Sequence, residues 1–159
     1  AVRGPRLHRL AGLEQWGHAI PVPKTAFACR RHSIMGHYEK AWQDVMARIG
    51  RAARARGRDP AGVRLVAVSK TFPAGAIRAV HALGQRDFGE NYVQEAAAKM
   101  ASLADLADIQ WHLIGPLQSN KAAIAASRFA WVQTVDRAKI AARLAAARPV
   151  DMTPLSVCI

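Results

Sequence analysis

Lys70 stands at the end of an apolar run. The stretch Val63–Pro73 reads VRLVAVSKTFP, and the lysine closes what has the composition of a core strand. Lysine is rarely fully buried unless it is paired. Side chains alternate along a strand, so Lys70 shares a face with Val68 and Val66. At the rim of an apolar interior an amine is partly desolvated, which disfavours its ammonium form. A neutral amine attacks carbonyl carbon, so Lys70 is a candidate for Schiff-base chemistry. The pattern serves equally well for a strand-end lysine that snorkels to water.

Three further positions point to the same mouth as Lys70. Asn91 lies in DFGENYVQE, His112 in QWHLIGPLQSNK, and Thr134 or Asp136 closes WVQTVD. His112 can pack against a flat ring or hold a water, and it can equally be a hydrogen-bonded core histidine. Asn91 has a bland reading as a helix cap, with Gln94 three residues on at capping-box spacing. Trp111 and Leu113 point away from His112, toward a core. Asn120 and Lys121 open a helix that could receive an anion, although capping explains Ser119 or Asn120 as well.

The elements that must position these residues follow from periodicity. Tyr38, Trp42, Val45, Met46 and Ile49 recur at helical spacing. Arg48, Arg51, Arg54, Arg56 and Arg58 continue that segment as a solvated basic face, until Gly57 and Pro60 end it. Val63–Val68 reads as a strand covered on both sides. Pro73 starts a helix whose stripe is Ile77, Val80 and Leu83, and Gly84 stops it. Further strands are expected at 86–90, 109–114, 129–135 and 155–159. A helix runs from Asn91 toward Leu106, and another from an Asp136 cap to Pro149. The strand starts, near 63, 86, 109, 130 and 155, are almost evenly spaced. Strand and helix in alternation indicate βα units around a parallel sheet. Even spacing favours a (β/α) barrel. A full barrel needs eight units and about 250 residues, so with five strands the chain reads as a barrel truncated after the fifth. A five-stranded flavodoxin-like sheet is the alternative that would make it complete.

Composition bounds the rest. The 159 residues are 51% hydrophobic, enough for one domain with a core, and carry a net charge of +12. Of that charge, +5 sits in residues 1–34. The arginines have no interleaved aromatics, so a nucleic-acid-binding module is the weaker reading. Cys29 and Cys158 are the two cysteines, which suits a reducing, cytoplasmic setting better than a disulfide framework. No apolar run has membrane-spanning length. Pro5, Pro21 and Pro23 interrupt the basic N-terminal stretch, while Met35 opens a regular pattern. Residues 1–34 are therefore expected to be a disordered extension or a misassigned start, with the domain at 35–159.

LVAVSKTFP, RDFGENYVQE and WHLIGPLQSNK, in this order, followed by TVDRAKIAARL, resemble the pyridoxal phosphate homeostasis protein family from about Met35 to Ile159. The resemblance implies a single-domain (β/α)8 barrel similar to the cofactor domain of alanine racemase. It implies pyridoxal 5′-phosphate as cofactor, held as an imine on Lys70, with Asn91 and His112 lining it. Such proteins are expected to store or deliver the cofactor in vitamin B6 and amino-acid homeostasis without robust turnover. A complete barrel would be monomeric, with a small-molecule partner and no nucleic acid or membrane. Many relatives carry a second lysine where this chain has Phe72. The family's phosphate-binding residues lie on late strands, beyond Ile159. The alternative function is a racemase-like enzyme, which needs a second acid/base group; Tyr92 is the only tyrosine near the mouth.

Overall fold

The computed structural model of the chain describes the backbone of residues 24–159 and the side chains of residues 36–159. The first 23 residues of the basic extension lie outside that range. Helix α1 spans Lys24–Arg54 and crosses Met35 without a break, so no element boundary marks the change at 34/35. Its predicted apolar stripe, Tyr38 to Ile49, is half-buried, and the arginines from 48 to 58 are exposed. The indole of Trp42 donates to the side-chain oxygen of Gln85 (3.3 Å). Gln85 in turn donates to the carbonyls of Leu65 (2.6 Å) and Asp87 (2.7 Å). One glutamine thus ties the helix to the approaches of the first two strands.

Five strands follow, each inside its expected apolar run but shorter: β1 Ala67–Val68, β2 Asp87–Glu90, β3 Gln110–Leu113, β4 Trp131–Val132 and β5 Ser156–Val157. All neighbours are parallel, and the order in the sheet is the order in sequence. A flavodoxin-like sheet would bring strand two outside strand one, so that alternative is not the fold. Between the strands lie α2 Ala74–Ala82, α3 Val93–Ser102, α4 Ala122–Arg128 and α5 Ala138–Ala147.

Register gives the sheet two distinct faces. Val68, Gly89, His112, Trp131 and Ser156 form one row across all five strands. The row beside it, Glu90, Leu113, Val132 and Val157, belongs to the outer face. There Phe88, Trp111, Leu113 and Val132 join Ile77, Val93, Ile140 and Leu144 from the helices in one core. Ala96, Ala122, Ala125 and Ala126 are buried in it as well, and such small residues let α3 and α4 approach the strands closely.

The expected caps are not used. Tyr92, not Asn91, precedes α3, and no side chain caps that helix. The Asn91 backbone instead lies close against Gly115, where any Cβ would collide with it. Arg137, not Asp136, precedes α5, again uncapped, and Asp136 pairs with Arg137 at 3.1 Å instead. Ser119 and Asn120 lie in a 3-10 turn, Ser119–Lys121, ahead of a seven-residue α4 without a side-chain cap. Pro73 sits just before α2 rather than within it, and Gly84, at φ +103, ends that segment as expected. Arg148, unremarked in the sequence, donates to the carbonyls of Ala126, Phe129 and Thr153 (2.5–2.9 Å) and fastens the end of α4 to the approach of β5.

Candidate functional site

Lys70 emerges two residues beyond Val68, on the inner side of the carboxyl end of β1. It is exposed, so the burial expected at the rim is not present. It sits in a tight turn in which the Phe72 amide donates to the Ser69 carbonyl (3.1 Å). Thr71 within that turn has φ +66. A β-branched residue in the left-handed region is a true outlier, costing on the order of 1–3 kcal/mol unless its surroundings hold it.

The surroundings do hold it. The Thr71 amide donates to Glu95 Oε1 (3.0 Å). On the other side of Lys70, the Ser69 amide donates to the Gly89 carbonyl (2.9 Å), and its hydroxyl donates to Glu90 Oε1 (2.6 Å). Lys99, reaching back from α3, completes the cluster. Its ammonium lies 2.8 Å from the Ser69 carbonyl, from Glu90 Oε1 and from Glu95 Oε1. Three partners use all three of its donors. Lys99 is 9% exposed and Glu90 fully buried. Burial pulls the Lys99 ammonium toward neutrality, but Glu90 and Glu95 outweigh it and its pKa is raised. Glu95 is held below the ordinary carboxylate range by Lys99 first and the Thr71 amide second. Glu90 Oε2 has no partner among the described residues.

This cluster was not anticipated from the sequence, although signals were there. Lys99 falls on the same helical stripe as the buried Val93, Ala96 and Leu103, four residues after an acid. Glu90 ends a strand with its neighbours Phe88 and Gly89 both buried.

His112 lies one pleat below Lys70 on the inner face, in register with Gly89. It is 2% exposed. Its ring stacks on Trp131 at 5.6 Å and 7°. Nδ1 is 3.0 Å from the Gln133 amide nitrogen, and Nε2 is 2.9 Å from Asp87 Oδ1. An amide nitrogen only donates, so in this assignment Nδ1 accepts and the proton sits on Nε2, facing Asp87. Asp87 also pairs with Arg64 at 3.4 Å. Both ring nitrogens are therefore engaged.

Asn91, half-buried, follows β2 at the level of Lys70, against the backbone of Gly115. Thr134 is drawn to the same glycine, its hydroxyl donating to the Gly115 carbonyl (2.6 Å). Lys70 and Asn91 thus follow two successive strands at the carboxyl rim, and His112 lies on the next strand one pleat below. A cleft of about 350 Å³ opens beside Gln133, Thr134, Asp136, Ile114 and Ile159 over the ends of β3–β5. A smaller one, about 170 Å³, lies under Phe72 between Tyr38, Val68 and Ile77.

No family model matches the chain. It is 60% identical over 115 residues to a pyridoxal phosphate homeostasis protein of Pseudomonas aeruginosa, covering 72% of this chain and 50% of that one. It is 48% identical over 117 residues to the protein of the same name from Escherichia coli, with the same coverage. The chain spans about half the length of the curated relatives it matches. Among solved structures it is similar to PipY of Synechococcus elongatus with pyridoxal phosphate bound. That match has 52% identity and a TM-score of 0.54, covering 62% of this chain and 47% of that one. Among the described residues no helix is long and apolar enough to cross a membrane.

Proposed function

We propose, from the premise that this chain is a homologue of the pyridoxal phosphate homeostasis proteins, that it binds pyridoxal 5′-phosphate through Lys70 and serves vitamin B6 balance without robust turnover. The observation that carries the reading is the placement of Lys70: an exposed amine at the carboxyl end of β1, on a turn fixed from both sides. PipY, similar in fold and sequence, has the cofactor bound, which supports it.

The residues present fit such a ligand at its reactive end. The cofactor supplies an aldehyde, which condenses with a primary amine into a carbon–nitrogen double bond and releases water. Lys70 offers the amine. Asn91 offers an amide at the same level of the rim, and His112, held by Trp131, Gln133 and Asp87, gives that rim a rigid floor. The five sequential strands are the opening arc of a (β/α)8 barrel on this reading. The grip on phosphate is assigned to the later strands of such a barrel, where that fold commonly holds it. Cytoplasmic location belongs to the same reading, as does a monomer when the barrel is complete. Tyr92 is 64% exposed, and no observation favours racemisation over binding.

The test is borohydride reduction of the protein incubated with pyridoxal phosphate, followed by peptide mass mapping. Hydride trapping at Lys70 is the expected result. Labelling scattered over Lys40, Lys121 and Lys139, or no labelling, overturns the reading.

A further inference from the structure

We propose that Lys99 is a positioning residue for Lys70: with Glu90 and Glu95 it clamps the backbone on both sides of the reactive amine and fixes the direction in which that amine leaves the sheet. The proposal rests on the cofactor reading for what Lys70 does, and on geometry alone for the clamp.

Stability does not explain the cluster. A buried ion pair is often no better than apolar residues of the same volume, because desolvation offsets the attraction. Position 99 lies on an apolar stripe, where methionine or leucine would pack, and Glu90 has an unpartnered oxygen as well. What an apolar residue could not do is reach the turn. Lys99 binds the Ser69 carbonyl directly (2.8 Å), and its two carboxylate partners bind the Ser69 hydroxyl and the Thr71 amide. These are the residues immediately before and after Lys70. The second of them, Thr71, is left-handed, a conformation that relaxes unless something opposes it. Charge-assisted bonds, about twice as strong as neutral ones, are suited to oppose it.

The cluster also separates the two amines that meet at this turn. Lys99 has every donor occupied and two carboxylates against it, so it stays an ammonium and does not compete for an aldehyde. Among the described residues Lys70 forms no ion pair, and it remains available.

The experiment uses the whole 159-residue chain and four variants: Glu95→Gln, Lys99→Met, Lys99→Arg and, as a control on an exposed lysine, Lys139→Met. Amide hydrogen exchange at Thr71 and Phe72 is followed without cofactor. The rate and site of adduct formation with pyridoxal phosphate are followed by absorbance and by borohydride mapping. Glu95→Gln removes charge from a partly exposed side chain, so the global urea midpoint should stay close to wild type. The Thr71 amide should nevertheless exchange about tenfold faster, the scale of one charged hydrogen bond. Adduct formation on Lys70 should slow by a comparable factor. Lys99→Arg should slow it as well, because a planar fork cannot reach three divergent acceptors. Lys139→Met should change nothing. Lys99→Met should loosen the turn further, and if it fails to fold, Glu95→Gln still decides. Unchanged exchange in Glu95→Gln overturns the clamp. Faster exchange with the rate and selectivity at Lys70 intact overturns the positioning role. A wild-type chain that forms no adduct at Lys70 sinks the cofactor reading, and the exchange rates alone then decide the clamp.

Discussion

The two faces of the sheet are built on opposite terms. The outer face is continuous apolar packing: Leu113 and Val132 have no exposed surface, and the helices bring alanines and leucines down onto them. Among the described residues, the charged side chains buried there, Lys99 with Glu90, sit at the carboxyl rim. The inner face has a glycine, a histidine and a tryptophan in the row where the outer face has aliphatics. Val68 there is 49% exposed and Lys70 is open to solvent. Apolar packing is thus concentrated on one side and the exposed amine lies on the other. The rim is where they meet, because the outer-face cluster reaches around β1 to hold the inner-face lysine.

Substitutions should reveal that division by their size. The largest loss is expected for Lys99→Met, which strands the buried Glu90 carboxylate: about 3–5 kcal/mol in urea unfolding, the usual cost of breaking a buried pair. Adding Glu90→Leu in the same chain should recover much of it, since an apolar pair of similar volume is often neutral. If the double variant stays as unstable as the single, the cluster is a source of stability and the contrast between faces fails. Next comes truncation on each face. Leu113→Ala should cost about 2–5 kcal/mol through the cavity it leaves. Val68→Ala, half exposed, should cost less than about 1 kcal/mol, since only part of its apolar surface is buried. Equal losses from the two would mean that the inner face is as tightly packed as the outer.

A smaller effect is expected from acid. The Glu95 carboxyl is depressed by Lys99 and by the Thr71 amide, so it takes up a proton less readily folded than unfolded. Its contribution is complete above the ordinary carboxylate range. It is lost as pH falls through the depressed value, where the unfolded chain binds more protons. Asp105, held low by Arg78, and Asp108, held low by His81, add to the same limb. The urea midpoint of wild type should therefore drop faster on acidification than that of Glu95→Gln, and the difference isolates the rim. Lys99 works in the opposite direction: its raised value keeps its contribution intact through neutrality, to be lost only in strong alkali. Parallel acid profiles would show that Glu95 holds nothing.

Strand identities and order were legible because each apolar run is bounded by glycine, proline or a polar turn and recurs at an even interval. Strand lengths were not. Only two to four residues of each run enter the ladder, and that depends on how the neighbouring strand arrives. The caps were not legible either: Asn91 has a capping residue's chemistry, but Tyr92 precedes α3 and the Asn91 backbone lies against Gly115, a contact 24 residues away in sequence. Lys70 and His112 were legible as inner-face residues because alternation needs no partner. The histidine's Asp87 and Gln133 bonds were not, since they join residues 25 and 21 positions away in sequence. The same holds for the ties from Lys99 to Ser69, which span 30 residues. Local pattern finds a face; long-range hydrogen bonds decide what that face can hold.

The smallest stability effect is expected where the functional effect is largest. Lys70→Ala removes an exposed side chain that makes no ion pair among the described residues. Surface changes of that kind stay within about 0.5 kcal/mol. The turn should persist, because Ser69 and Thr71 are held through backbone groups and the Ser69 hydroxyl, none of which belongs to Lys70. Unfolding of the variant should overlay wild type while the borohydride-trapped adduct at this position disappears. A residual adduct should not move to Lys99, whose ammonium is already bound three ways. Transfer of the label to Lys99 would show that the buried amine is free enough to deprotonate, and the rim would then have two reactive lysines rather than one reactive and one structural.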